Sequence, residues 1–272
     1  MLSRTNVLDV SMRTGELFVY GSDRTDASLA TDGTGFLVRS GTGGVALTIG
    51  SNLPRRGRSR DKDGRVELTV PLGTRLIIRG ASINVHVRNV RGDVDVEVQS
   101  GDITLHSLGA RAFAASLSGD ITIRDGVGDV RASTVSGDIH AEQVRGDIDA
   151  RSTSGDIAVT AIDARRVLLQ TSAGEISMEG RLPSDATWTM ATHAGDVSIN
   201  LLGSAAGILE ASAVVGTIRV DDMTLLPSSD ASRERGRVRR FEFGGGSNAR
   251  ISVAAFSGDI EVRRGARRRD DQ

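Results

Sequence analysis

"VSGDIHAEQVRGDIDARSTSGDIAV", residues 135–159, repeats one phrase three times. Gly137-Asp138-Ile139, Gly146-Asp147-Ile148 and Gly155-Asp156-Ile157 lie nine residues apart. Working outward, glycines at 92, 101, 119, 128, 137, 146 and 155 occupy the same lattice, each followed by Asp and then by Ile or Val. The lattice misses one point, where Ala110 follows Gly109. A fixed period of this kind marks a repeat architecture and takes precedence over any local reading.

Within each nine the pattern is G-D-φ-x-φ-x-x-φ-x, as in Ile103/Leu105/Leu108, Ile139/Ala141/Val144 and Ile157/Val159/Ile162. Apolar residues two apart share one face of a strand, leaving Thr104, His140 and Asp149 on the solvent side. Each nine is therefore a short strand and a turn. "SGDI" recurs at 100, 118, 136 and 154, while "RGDV", "VGDV" and "RGDI" stand at 91, 127 and 145. Two unlike nines make a unit of 18, one coil of a two-sided parallel β-solenoid with like residues stacked on like.

Beyond residue 160 the period lengthens. "SAGEISM" (172–178), "HAGDVSI" (193–199), "VVGTIRV" (214–220) and "FSGDIEV" (256–262) follow at intervals of 21, 21 and 42. The last interval holds the insertion 223–249, in which "VRRFEF" reads as an extra strand. Residues 1–80 are β-rich and less regular. They are expected to form an irregular cap and the first coils, because a solenoid end exposes unpaired strand edges. Residues 81–264 form the repeat, and the charged tail 265–272 is expected to be disordered. The expected fold is all-β, a right-handed parallel β-solenoid of about 18–21 residues per coil.

Composition agrees. Hydrophobic residues make up 38% but aromatics only 3%, so a core must be thin and filled by Val, Ile, Leu and Ala. Thirty-three glycines against four prolines fit many turns between short strands. The formal charge of −1 gives no general attraction to nucleic acid, and none is expected as a partner. Lys62 is the only lysine; there is no cysteine, hence no disulfide or thiolate metal site. "MLSRTNVLDV" lacks the apolar core of a signal peptide, and no run reaches the roughly 18 apolar residues of a membrane span. The chain as written is expected in the cytoplasm, or at the cell envelope if a leader precedes it.

The stretches "VELTVPLGTRLIIRGASINVHVRNVRGDVDVEVQSGDI", the SGDI ladder and "GGGSNARISVAAFSGDIEV" together resemble the bacterial "putative adhesin" family of β-strand-repeat proteins, a domain of unknown function. The resemblance runs over roughly residues 7 to 264. It implies a right-handed parallel β-solenoid with no established catalytic residues to carry over, and many members of that family sit behind a membrane segment or near envelope-stress regulators.

The Gly-Asp turn admits two chemistries. As a corner, Gly supplies a backbone that other residues adopt with strain, and Asp accepts turn N–H groups. Stacked carboxylates repel by about 1 kcal/mol in water at the strand spacing, which arginines such as Arg91 and Arg145 can offset. As a metal site, Asp102, Asp120, Asp138 and Asp156 are the calcium candidates, because β-rolls also use nine-residue units. Their motif, however, carries several glycines per turn, and Ca²⁺ needs six to eight oxygens. The corner is the better reading, with no metal or other cofactor expected.

The remaining candidates are weaker. Two RGD triplets, 91–93 and 145–147, fall on the lattice as corners. His86, His106, His140 and His193 occupy different repeat positions and do not stack. Trp188 and Tyr20 are too few to line the sugar groove of a β-helix hydrolase or lyase, and no G-x-S-x-G, H-E-x-x-H or phosphate-binding loop occurs. Basic stretches at 54–62 and 233–240 are loop-like. The insertion is the preferred partner surface, with Arg233, Arg235, Arg237, Arg239 and Arg240 as its candidates. The expected role is a non-catalytic, adhesin-like scaffold, binding an unknown protein or cell-envelope component and compatible with self-association. A calcium-binding β-roll, a self-assembling cytoskeletal-type β-helix and, last, a polysaccharide-active enzyme are the alternatives.

Overall fold

A computed structural model of the chain describes residues 7–31, 36–41, 44–49, 64–221, 223–226, 237–245 and 248–265. They form two compact units, 1–136 and 137–272, in which every regular element is a strand. The tail 266–272 and the stretch 54–62 lie outside the described residues.

The first unit contains β1 (Val7–Ser22), β2 (Ser28–Thr31), β3 (Phe36–Gly41), β4 (Gly44–Ile49), β5 (Arg65–Pro71), β6 (Arg75–Arg88), β7 (Val94–Ser100), β8 (Ile103–Leu108), β9 (Ala112–Ser118), β10 (Ile121–Val127) and β11 (Val130–Ser136). The second contains β12 (Ile139–Arg145), β13 (Ile148–Ser154), β14 (Ile157–Asp163), β15 (Arg166–Ala173), β16 (Ile176–Arg181), β17 (Thr187–Ala194), β18 (Val197–Leu202), β19 (Gly207–Val215), β20 (Ile218–Val220), β21 (Thr224–Leu225), β22 (Arg237–Phe243), β23 (Arg250–Ser257) and β24 (Ile260–Gly265).

Alternate strands pair in parallel, β7 with β9 and β9 with β11 on one face, β6 with β8 and β8 with β10 on the other. This is the two-sided coil expected from the 18-residue unit. Val94 pairs with Ala112 and Ala112 with Val130, so the missed lattice point at Ala110 is a substitution at a corner, not a shift of register. Coils beyond residue 160 also have two strands each; their extra residues extend the connections at 182–186 and 203–206.

Alternation fills the core. Ile103, Leu105 and Leu108 are buried, as are Ile139, Ala141 and Val144, and Ile157, Val159 and Ile162. The two-residue gap before the third apolar position has a backbone cause. Asn89, Ser107, Asp125, Gln143 and Ala161, 18 apart, all have φ between 53° and 58°. One left-handed residue re-aims the strand so that the next side chain turns inward at the corner. Trp188 is fully buried, its indole N–H donating to the Ala164 carbonyl at 3.0 Å.

A second repeating feature is a buried hydroxyl three residues before the corner glycine. Ser116, Thr134, Ser152, Thr171 and Thr192 donate to the carbonyls of Gly101, Gly119, Gly137, Gly155 and Gly174 in the preceding coil, at 3.0–3.4 Å. The glycines are needed for closeness as well as conformation. A Cβ on Gly155 (φ 153°) would stand 1.9 Å from the Gly137 carbonyl oxygen.

Coil order departs from sequence order in both units. In the first, β1 pairs with β6 on one side and with β4 and β5 on the other, so the N-terminal strand lies between two segments adjacent in sequence. β3 and β2 then add antiparallel to β4 and β5. In the second, β23 lies between β17 and β19, and β24 between β18 and β20. The simple succession of 21-residue coils read from the sequence is thereby corrected, since the last coil sits inside the one before it. The extra strand expected at 238–243 exists as β22, antiparallel to β19, with Phe241 and Phe243 buried over the core. β22 thereby covers the free edge of β19, and the two-residue strand β21 pairs with part of the outer side of β22.

Candidate interaction surface

The Gly-Asp corners form ladders. In the first unit the Asp102 N–H donates to Asn84 Oδ1 at 3.0 Å, and the Asp120 N–H to Asp102 Oδ1 at 3.0 Å. In the second, the Asp156 N–H donates to Asp138 Oδ1 at 2.8 Å and the Glu175 N–H to Asp156 Oδ1 at 2.7 Å. The ladder also runs through the inserted coil: the Asp259 N–H meets Asp196 Oδ1 at 2.7 Å, and the Thr217 N–H meets Asp259 Oδ1 at 2.8 Å. Hydrogen bonds from Thr217 hold the Asp259 carboxyl below the ordinary carboxylate range. Asp102, Asp120, Asp138 and Asp156 are thus spaced one per coil, each using one oxygen or its own N–H in backbone linkage. Among the described residues no three His, Asp or Glu side chains converge as a metal site.

The RGD corners are similarly engaged. Asp93 pairs with Arg111 at 3.1 Å, and Asp147 accepts hydrogen bonds from the Arg166 backbone N–H at 3.1 Å and Nε at 2.7 Å. An arginine stands one coil from each of these aspartates, which relieves the repulsion of stacked carboxylates.

The four histidines stand apart. His140 is exposed on β12. His86 stacks on Phe18 (centroids 4.7 Å apart, planes 15° apart), and the Arg65 guanidinium lies 4.3 Å from the Phe18 ring centre. Burial lowers the His86 pKa, with Arg88 and Arg65 acting in the same direction and Glu16 and Asp102 opposing. His106 forms a chain, Nδ1 2.7 Å from Ser107 Oγ and Nε2 3.1 Å from Asp125 Oδ2. That connectivity matches a nucleophile, base and orienting carboxylate, but the imidazole and carboxylate are 42% and 44% exposed. Ser107 and Asp125 are both left-handed corner residues, so the chain fastens two successive corners.

The notable surface is on the outer face of β15, β17, β23 and β19. Between the paired rows Thr192, Ala255, Ala213 and Ala194, Ser257, Val215 lie His193, Phe256 and Val214. His193 and Phe256 stack at 4.6 Å, and Phe256, Val214 and Val215 are 48%, 49% and 60% exposed. Thr189, Ala191, Ser252, Ala254 and Ser212 extend the face as far as the exposed Glu210, the register partner of Ser252. The basic residues expected to mark a partner surface border it incompletely. Arg239 and Arg240 are exposed on β22, with Arg240 3.6 Å from Glu210. For Arg237 the backbone alone is described, and Arg233 and Arg235 lie outside the described residues. The apolar column was missed in the sequence because its members are 42 and 63 residues apart and become neighbours through coil insertion.

Paired parallel coils with stacked corner ladders define the protein as a β-solenoid. The chain belongs to the Toastrack DUF4097 family, whose sequence profile matches residues 54–263. A crystal structure of a "putative cell adhesion protein" from Clostridium sporogenes aligns over 97% of this chain and 94% of its own, at 9% identity and a TM-score of 0.28. Curated proteins give no match. Among the described residues no helix is long and apolar enough to cross a membrane.

Proposed function

We propose that the protein is a non-catalytic β-solenoid scaffold that works by adhesin-like binding, with the outer face of β15, β17, β23 and β19 as its contact surface for a cell-envelope component. The observation that carries this reading is the exposed apolar group Phe256, Val214 and Val215 on the outer sheet face. Apolar side chains grouped in this way gain most when covered by a partner. The repeated aspartates, which would be the natural source of catalytic or metal chemistry, serve instead as backbone acceptors.

The test is cosedimentation of the full chain with isolated bacterial envelopes, beside the double variant Phe256→Glu, Val214→Glu. Both side chains are about half exposed, so the variant folds, with a thermal midpoint somewhat lowered by the lost His193–Phe256 stacking and the new carboxylate pair. Wild type pellets with envelopes, and the variant binds about tenfold more weakly, the loss expected for one anchor contact. Equal binding by the two proteins would remove the face from the proposal, and absence of binding by wild type would remove the envelope.

A further inference from the structure

The exposed apolar group lies beside an edge whose charges are not neutralised. His193, Phe256 and Val214 each precede the corner residue of their own strand by three, namely Asp196, Asp259 and Thr217. In the coils that follow on the β17 side, Glu175 and Asp156 hold the same corner place. Among the described residues none of Asp156, Glu175, Asp196 and Asp259 forms an ion pair, and Arg219 acts on Asp259 only from a distance. The opposite corners of the same unit differ, since Asp147 is paired with Arg166 and Asp185 with Arg165. At the far side of the face Glu210 is answered by Arg240 at 3.6 Å. Of the carboxylates that border the apolar group, those on the ladder side are therefore the ones left unpaired.

Carboxylates stacked at the strand spacing of about 4.8 Å repel one another. Hydrogen bonds to turn N–H groups offset this in part, and positive charge laid along the row would remove it. A single metal ion does not serve, because no three ligating side chains converge among the described residues. A ligand that carries several positive charges in a row does.

We propose that the partner at this face is a basic amphipathic polypeptide segment, its apolar side chains over Phe256 and Val214 and its Lys or Arg side chains along Asp156, Glu175, Asp196 and Asp259. The inference rests on the assignment of this face as the contact surface, and it narrows the envelope component to a protein. An anionic lipid surface brings like charge against the same carboxylates, the converse of the attraction that basic segments gain there. Apolar contact supplies the anchor, and the carboxylate row supplies selection and a faster encounter.

The probe is a labelled peptide alternating Lys and Leu, titrated with the full chain by fluorescence anisotropy beside Glu/Leu and Lys/Ser control peptides. Wild type binds the Lys/Leu peptide and neither control. Phe256→Ser weakens that binding about tenfold, the loss of one anchor. The triple variant Glu175→Gln, Asp196→Asn, Asp259→Asn keeps the acceptor oxygens of the ladder but loses three charges. It binds about tenfold more weakly, and its affinity falls less steeply as salt is raised. If the triple variant melts early, Glu175→Gln alone, whose side chain makes no ladder hydrogen bond, weakens binding about twofold. Equal affinity for the Lys/Leu and Glu/Leu peptides overturns the proposal, as does binding unchanged in both variants. Binding of wild type to phosphatidylglycerol vesicles that is lost in Phe256→Ser assigns the face to lipid and overturns it too. Wild type that pellets with envelopes through this face yet leaves the Lys/Leu peptide unbound overturns the basic partner alone. Failure of both assays removes the contact surface with it.

Discussion

Asp156 separates the corner reading from the metal reading by measurement. Its Oδ1 accepts the Glu175 N–H at 2.7 Å, and its own N–H donates to Asp138 Oδ1 at 2.8 Å. Asp156→Ala removes the acceptor and leaves the Glu175 N–H to water, at a cost of about 1 kcal/mol for an exposed bond. Asp156→Asn keeps an oxygen at the same place, as Asn84 does in the first unit, where it accepts the Asp102 N–H. The amide loses charge assistance but also the repulsion of Asp138 one coil away. That repulsion is about 1 kcal/mol in water and roughly half as much at physiological salt. The two effects nearly cancel. In thermal melts followed by circular dichroism, Asp156→Asn stays within about 1 °C of wild type, and Asp156→Ala falls by about 2–4 °C. Raising NaCl to about 1 M stabilises wild type relative to Asp156→Asn, because screening removes a repulsion that only wild type has. Millimolar Ca²⁺ moves none of the three midpoints. Equal midpoints for Ala and Asn would refute the backbone-acceptor role. A calcium-induced rise in wild type that is lost in both variants would make the ladder a metal site.

Three further outcomes follow from the same geometry. Ala161→Gly is expected to raise stability by about 0.5–1 kcal/mol, because φ is 53° there, whereas Ala158→Gly in the same strand lowers it; a loss at both positions in denaturant titrations would count against the left-handed corner. Thr171→Val retains shape but deletes the hydroxyl bond to the Gly155 carbonyl (3.0 Å), and should cost about 1 kcal/mol in the same assay; a neutral result would show that bond to be dispensable. His86 has a lowered folded pKa, so its contribution is full above the ordinary imidazole value of 6.5 and declines as pH falls through it, whereas that of Asp259 is lost only below 3.8. The thermal midpoint should therefore fall from about pH 7 to 5, and His86→Gln should flatten that slope; an unchanged slope would place the titration elsewhere.

The local half of this structure was legible because it is periodic. The Gly-Asp lattice gave strand and turn, and the spacing φ-x-φ-x-x-φ carried the left-handed residue before the corner, although its backbone conformation was visible only in the structure. The hydroxyls at 116, 134, 152, 171 and 192 were also on the lattice, yet Ser and Thr beside a turn read equally well as exposed. Their burial follows from the preceding coil offering a glycine carbonyl with no side chain in the way.

The sequence by itself determined the strand period, the corners and the apolar stripe, since these depend on residues within one coil. Coil order was decided only in the tertiary structure. Every coil presents nearly the same backbone edge, so the local pattern does not distinguish one neighbour from another. Placing 250–265 between 187–202 and 207–220, and the first strand between 44–71 and 75–88, requires long-range choices. Phe256 became the neighbour of His193 and Val214 through that choice, and with it arose the exposed apolar group on the outer face.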